Sequence, residues 1–349
     1  MAGDSTFDIA PALAVQAAIL ARPATVERRM ADAIRALAID AVEQAGSGHP
    51  GMPMGMADVA TALWSRTLKF DATDPSWPDR DRFVLSAGHG SMLLYALMHL
   101  TGHAGMELEQ LQRFRRLDSA AAGHPLQSEH PAIEATTGPL GQGLATAVGM
   151  ALAERMMAAR FGRSLVDHRT WVMCSDGDLM EGISYETCAL AGHLRLEKLT
   201  VLWDDNNVSI DGDTALACSA DTLKRFAAMG WATKRIDGHD PHAIQAALSL
   251  ALRSKKPTLI ACRTVIGFAA PTKAGTRDCH GRPLGPSESD QAKQALDWPH
   301  APFVVPPDLM ARWAAVGTRS TVARRGWLKR LNNHPLRTEF ERVLARRLP

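Results

Sequence analysis

A doubly wound α/β fold, with a mostly parallel sheet covered by helices on both faces, is what this 349-residue sequence predicts. Three observations predict it. Segments that read as strands at 82–86, 171–174, 199–203, 231–236 and 257–262 alternate with segments of helical periodicity. The runs at 171–174 and 199–203 are apolar almost throughout, as in strands buried on both faces. Polar, glycine-bearing loops follow the first three runs, which places them at one edge of such a sheet, the edge where open α/β sheets bind ligands.

The elements follow in order. Met30, Ile34, Leu37 and Ala41 keep helical spacing over 26–45, with Thr25 as N-cap, and the breakers Gly46-Ser47-Gly48-His49-Pro50-Gly51 stop the helix. A second helix is expected over 56–68. The strand at 82–86 ends in Ala87-Gly88-His89-Gly90-Ser91, and a helix over 92–100 follows. Thr136-Thr137-Gly138-Pro139-Leu140-Gly141-Gln142-Gly143 precedes a helix over 144–160. The strand at 171–174 runs into Ser175-Asp176-Gly177-Asp178-Leu179-Met180-Glu181-Gly182, and a helix over 183–194 returns the chain to the strand at 199–203. That strand opens onto Asp204-Asp205-Asn206-Asn207-Val208-Ser209-Ile210-Asp211-Gly212. A helix over 241–252 separates the last two strands. Three segments are expected: an N-terminal extension over 1–24, a ligand-binding domain over 25–298, and a proline-rich linker with a basic helical tail over 299–349.

Composition excludes several classes. Hydrophobic content of 46% and charge of 22% are those of a globular enzyme, and a net charge of +2 argues against a nucleic-acid partner. No apolar run reaches the roughly 20 residues of a membrane span. The stretch 9–21 is apolar but follows Asp4 and Asp8 with no Lys or Arg, which a signal peptide would carry. Five scattered cysteines form no metal or redox spacing, so a reducing, cytoplasmic setting is expected.

Chemistry concentrates in the loops. Asp176 and Asn206, at the ends of neighbouring strands, together put a carboxylate and an amide where a hard cation and a diphosphate would sit; either alone reads as an ordinary cap or turn residue. Gly177 allows the backbone to approach a phosphate closely. Histidines preceded by glycine recur, and His49, His89 and His124 lie in breaker-rich loops, as does His280 in Lys273-Ala274-Gly275-Thr276-Arg277-Asp278-Cys279-His280-Gly281. Sharing one sheet edge, they would form a common pocket of neutral-pH proton carriers. His103 and His193, in helix-end contexts, read as structural.

These motifs, in this order over 26–313, resemble the N-terminal, diphosphate-binding section of transketolase, a thiamine diphosphate enzyme. The resemblance implies the following. Mg²⁺, for which Ca²⁺ or Mn²⁺ could substitute, is held by Asp176, Asn206 and the carbonyl of Val208. His89 and Gly177 contact the diphosphate, Gly138 and Leu140 line the cofactor bed, and Ile210 packs beside it. His49, His124 and His280 face a sugar phosphate, and Glu181 lies near a subunit interface. Ser175 replaces a glycine common in the family, and Arg277 stands where the family often has a histidine, which bears on substrate contacts. The resemblance further implies transfer of a two-carbon ketol unit from a ketose phosphate to an aldose phosphate, in the pentose phosphate pathway or Calvin cycle. A homo- or hetero-oligomer, a dimer in the first instance, with a separate pyrimidine-domain partner supplying the activating glutamate would complete the site. Two rivals remain: a related thiamine enzyme of dihydroxyacetone synthase or deoxyxylulose phosphate synthase type, and an inactive cofactor-binding or dimerisation module.

Overall fold

The computed structural model describes residues 10–347. Helix α1 (Ala10–Leu20) precedes α2 (Val26–Ala45), α3 (Gly51–Ala62) and a π-helical turn, Leu63–Thr67. Strand β1 (Arg82–Leu85) leads through a single turn into α4 (Ser91–Leu100) and α5 (Leu108–Gln112). After α6 (Gln142–Phe161) come β2 (Thr170–Ser175), the short α7 (Asp176–Met180), α8 (Gly182–His193) and β3 (Leu199–Asp205). A hairpin, β4 (Val208–Ser209) with β5 (Gly212–Asp213), is followed by α9 (Thr222–Ala228), β6 (Ala232–Asp237), α10 (Pro241–Arg253) and β7 (Thr258–Arg263). Helices α11 (Pro286–Ala295), α12 (Pro307–Gly317), α13 (Thr321–Asn332) and α14 (Arg337–Leu344) finish the chain.

The main sheet is parallel throughout, in the order β1-β2-β3-β7-β6. Side chains alternate across it, as the two-residue period of a strand requires. Phe83, Leu85, Trp171, Met173, Leu202, Ile260 and Cys262 enter one core with α2, α3, α4 and α10. Val84, Val172, Cys174, Val201, Trp203, Leu259 and Ala261 enter a second with α6, α8 and α9. Strands β1, β2, β3 and β7 are thus apolar on both faces, which is why their runs read as hydrophobic, while the edge strand β6 buries only Ile236.

Two boundaries differ from the sequence reading. The second helix starts at Gly51 rather than 56. Its first turn holds Gly51 and Pro53, poor helix interiors, but proline costs nothing there because that N–H has no helical partner. Tertiary contact decides the rest: a Cβ on Gly51 would stand 2.6 Å from the Cys279 carbonyl oxygen. The stretch Asp176–Met180, read as loop, closes a helical turn because Ser175 and Asp178 form a capping box. Thr25 caps α2 as expected, accepting from the Arg28 N–H at 3.2 Å.

The proline-rich stretch after Trp298 lies on α2: the Phe303 N–H donates to Asp40 at 2.8 Å, and both Trp298 and Phe303 are buried. Beyond it, Trp313 joins the first core, while Trp327, Leu331 and Phe340 form a third cluster with Trp77, Phe161, Leu165 and Val166. No described helix is long and apolar enough to cross a membrane.

Candidate functional site

The carboxyl edge of the sheet gathers the loops. β1 delivers His89, β2 delivers Asp176, β3 delivers Asn206, and the segment after β7 delivers His280, while the α2–α3 turn brings His49. Pairing of β2 with β3 sets Ser175 opposite Asp204, so the Asp176 and Asn206 turns leave adjacent strand ends.

Four imidazoles meet there. The ring centroids of His49 and His89 lie 5.2 Å apart, His49 and His280 5.8 Å, His49 and His124 6.4 Å, and His89 and His280 5.1 Å. All four are half-buried. Burial, reinforced by its neighbours His280, Arg115 and His124, holds His49 down to about 4; burial with His280, His49 and His124 holds His89 down to about 3. His124 and His280 are lowered for the same first reason. The cluster is therefore neutral near pH 7, and the Nδ1 atom of His49 has no hydrogen-bond partner.

The glycines explain how the loops close on one another. A Cβ on Gly88 would stand 2.6 Å from Thr137 Oγ1 and 2.7 Å from the Gly138 nitrogen. One on Gly138, whose φ is +140°, would meet the His124 ring at 3.1 Å, and one on Gly177 would meet Leu140 Cδ1 at 2.7 Å. The loops that carry His89, His124, Gly138, Leu140 and Gly177 thereby pack against one another. Ile210 lies at the tip of the β4–β5 hairpin and is 69% exposed.

At the cation end, Asp176 Oδ1 accepts from Trp203 Nε1 at 3.1 Å, while its Oδ2 is buried and unpartnered. Burial, with Asp204 and Asp205 adding repulsion, raises this carboxyl to about 8. Asn206 is oriented from both sides: its amide nitrogen donates to Asp204 Oδ2 at 2.7 Å and its Oδ1 accepts from the Val208 N–H at 2.8 Å. Asn207, at φ 64°, turns the chain between them. A buried carboxylate oxygen lacking a donor, with amide and carbonyl oxygens from the next turn, fits a hard divalent cation. Among the described residues no group of three or more His, Cys, Asp or Glu is placed to hold a metal ion; a hard cation takes about six or more oxygens, so these three oxygens leave room for those of a ligand.

Several contributors escaped the sequence reading. Fully buried Asp178 accepts from Ser86 Oγ at 2.6 Å, the Gly141 N–H at 2.8 Å and the Ser175 N–H at 2.9 Å, tying three site loops to one carboxylate. Its place inside the Asp176 motif was the available signal. Arg115, at φ 62° and with a buried, unpartnered Nε, lies beside His49 and His124; no local pattern announces it. His239 accepts from the Val265 N–H at 3.1 Å on Nε2 and meets Asp58 at 2.8 Å through Nδ1, anchoring the start of the His280 segment. Arg277, which the sequence reading did single out, donates from Nη1 to the Asp211 carbonyl at 3.1 Å and joins that segment to the hairpin. His103 is buried and stacked on Phe70, and His193 is exposed at the end of α8; neither joins the cluster.

Comparison with known proteins places these residues in context. The family model described as "Transketolase, thiamine diphosphate binding domain" matches residues 26–349. The transketolase of Cereibacter sphaeroides is 57% identical over 322 residues, 92% of this chain and 49% of that protein. That of Sinorhizobium medicae is 54% identical over 325 residues, 93% and 47% of the two chains. Among solved structures, a transketolase from Campylobacter jejuni superposes with a TM-score of 0.89 at 39% identity, covering 93% of this chain and 51% of the other. A Pichia stipitis transketolase in complex with sedoheptulose-7-phosphate gives 0.88 at 38% identity, with 93% and 49% covered. The chain thus spans about half the length of the curated relatives it matches.

Proposed function

The chain belongs to the transketolase family through its thiamine diphosphate-binding section, and on that premise we propose that it holds the diphosphate end of the cofactor and works with a separate pyrimidine-binding section in two-carbon ketol transfer between sugar phosphates. The observation that carries the reading is the buried, unpartnered Oδ2 of Asp176 beside the doubly oriented Asn206. In it, Asp176, Asn206 and the Val208 carbonyl hold Mg²⁺, with Ca²⁺ or Mn²⁺ as substitutes. Gly177 and His89 contact the diphosphate; Gly138, Leu140 and Ile210 line the bed.

Thiamine diphosphate, when bound, supplies the carbanion chemistry that lets a carbon–carbon bond beside a carbonyl break and re-form. The chain's own part is to hold and to move protons. His49, His124 and His280, uncharged near neutral pH, can each donate to a sugar oxygen from one nitrogen and accept a hydroxyl proton on another. Their low basicity keeps any proton they take mobile, and Arg115 nearby opposes a lasting positive charge on His49 and His124. Half-burial also limits water at the reacting atoms.

Titration of thiamine diphosphate into the purified chain, with Mg²⁺ and with chelator, tests the cofactor reading: Mg²⁺-dependent saturation supports it, and identical curves overturn it. Ketol transfer assayed for the chain alone and with a complementary section tests the rest. Turnover only in the mixture is expected, because the relatives are about twice this length. Turnover by the chain alone, or none in the mixture despite cofactor binding, refutes the partnership and in the second case leaves a cofactor-holding module.

A further inference from the structure

Helix α1 lies outside the residues matched by the family, yet it grips the segment that carries His280. Gln16 is 5% exposed and uses both ends of its amide there: Oε1 accepts from the Ala269 N–H at 2.8 Å and Nε2 donates to the Ala270 carbonyl at 3.1 Å. Such a two-way bond to consecutive backbone groups fixes a chain's course as a neighbouring strand would. Ala269 needs fixing. Its φ is +79°, a left-handed conformation that a residue with a Cβ rarely adopts unless its surroundings enforce it. A second contact lies further along the same segment, where a Cβ on Gly275, itself at φ +74°, would stand 2.8 Å from the Ala12 Cβ. Ile19 anchors the far end of α1 in the main core.

From this clamp to His280 the path is short and packed. Gly267 donates its N–H to the Gly51 carbonyl at 2.9 Å, at the foot of the turn that bears His49. Its missing Cβ leaves room for Cys279, whose Sγ would otherwise lie 2.5 Å away. Cys279 is buried and immediately precedes His280. The Gly275 N–H donates to the Ile266 carbonyl at 2.9 Å and closes the loop on itself. The backbone over 267–270 therefore sets where Cys279 packs, and Cys279 sets where the His280 ring enters the cluster.

We propose that Gln16 is a positioning residue: from an N-terminal helix outside the family match, it holds Ala269 in a strained conformation and so fixes the loop that presents His280 to His49 and His89. That the fixed ring serves ketol transfer rests on the function proposed above; the clamp itself does not.

Hydrogen–deuterium exchange on the full chain, without cofactor, tests it. Gln16→Ala should speed exchange over 267–281 roughly tenfold, the worth of about two neutral hydrogen bonds, and change β3 less than about twofold. Trypsin should cut after Lys273 and Arg277 correspondingly faster. Ala269→Gly should be silent by itself and should restore protection in the Gln16→Ala background, since glycine adopts φ +79° without strain. Unchanged exchange over 267–281 in Gln16→Ala would overturn the proposal. So would a uniform rise across β3 and the loop, which marks α1 as ordinary core, or failure of Ala269→Gly to rescue. Because neither cofactor nor turnover is read, these results stand apart from the success or failure of the cofactor titration.

Discussion

Single residues carry the site's electrostatics, and the carboxyl and the imidazoles make opposite demands of pH. Asp176 is held up at about 8 by burial and by Asp204 and Asp205, so without a cation its carboxyl prefers its proton. A divalent ion reverses that preference, since it supplies the positive charge that Oδ2 lacks. Asp176→Asn keeps the shape and the bond from Trp203 but removes the charge. Calorimetric titration should show Mg²⁺-dependent binding of thiamine diphosphate weakened at least ~100-fold, on the scale of losing a charged first ligand; a change below threefold contradicts the ligand assignment. The histidines act the other way. His89 is lowered from 6.5 to about 3 and His49 to about 4. Between pH 6.5 and 4 the unfolded chain binds protons at these positions and the folded chain does not, so stability is whole above 6.5 and falls as pH falls. Urea midpoints at pH 7 and pH 5 should show that loss, and His89→Asn should show a smaller one. An equal loss in the variant would mean that His89 protonates as readily in the fold as in the open chain.

At the scale of elements, the site exists because loops close on glycines. Gly88→Ala would drive a Cβ to 2.7 Å from the Gly138 nitrogen, a backbone atom that cannot rotate away. The loop 136–141 must then shift, and cofactor affinity should fall ~10- to 100-fold with the fold intact by circular dichroism, the loss expected when a binding loop moves by an ångström or so; unaltered affinity would show that this loop does not meet the cofactor. Elements of this kind were largely legible in the sequence. The strand ends, read at 86, 174 and 203 and found at Leu85, Ser175 and Asp205, show to within two residues because hydrophobic residues give way to polar residues and glycine, and α2 shows because Thr25 and Gly46 bracket a clean helical period. What stayed hidden depends on partners distant in sequence. The first turn of α3 owes its existence to Cys279 and Ile266, Asp178 is recognisable as a hub only once Ser86 and Gly141 reach it, and Arg115 owes its place to a φ that its residue type does not suggest. Gln16 is the plainest case. An amide in an apolar helix reads as an isolated polar residue until Ala269 and Ala270, far along the chain, supply both of its bonds.

Across the whole molecule, the two ends of the sheet divide the work. The carboxyl edge carries His89, Asp176, Asn206 and His280, while the third apolar cluster gathers Trp77, Leu165 and Val166, which lead into the amino ends of β1 and β2. The C-terminal helices α13 and α14 cover that amino edge through Trp327, Leu331 and Phe340. Trp327 is 1% exposed and also donates its Nε1 proton to the Leu165 carbonyl at 2.8 Å. This basic region therefore stabilises the fold by apolar burial, and Arg324 ties α13 to Asp71 and Asp74 by ion pairs of 2.8 and 2.9 Å. Phe161, the last residue of α6, belongs to the same cluster, so the helix whose first turn follows Gly141 at the site is pinned by its other end. A tryptophan removed from such a packed cluster costs ~3–5 kcal/mol through lost burial and the cavity left behind. Trp327→Ala should accordingly lower the urea unfolding free energy by about that amount. Cofactor affinity, measured under conditions where the variant remains folded, should change less than about twofold, because α6 transmits strain to Gly141 only if its own hydrogen-bonded turns yield, and a helix of that length resists this. Affinity falling in step with stability would mean that α6 couples the two edges, and the division of the sheet into a stabilising edge and a chemical edge would then be wrong.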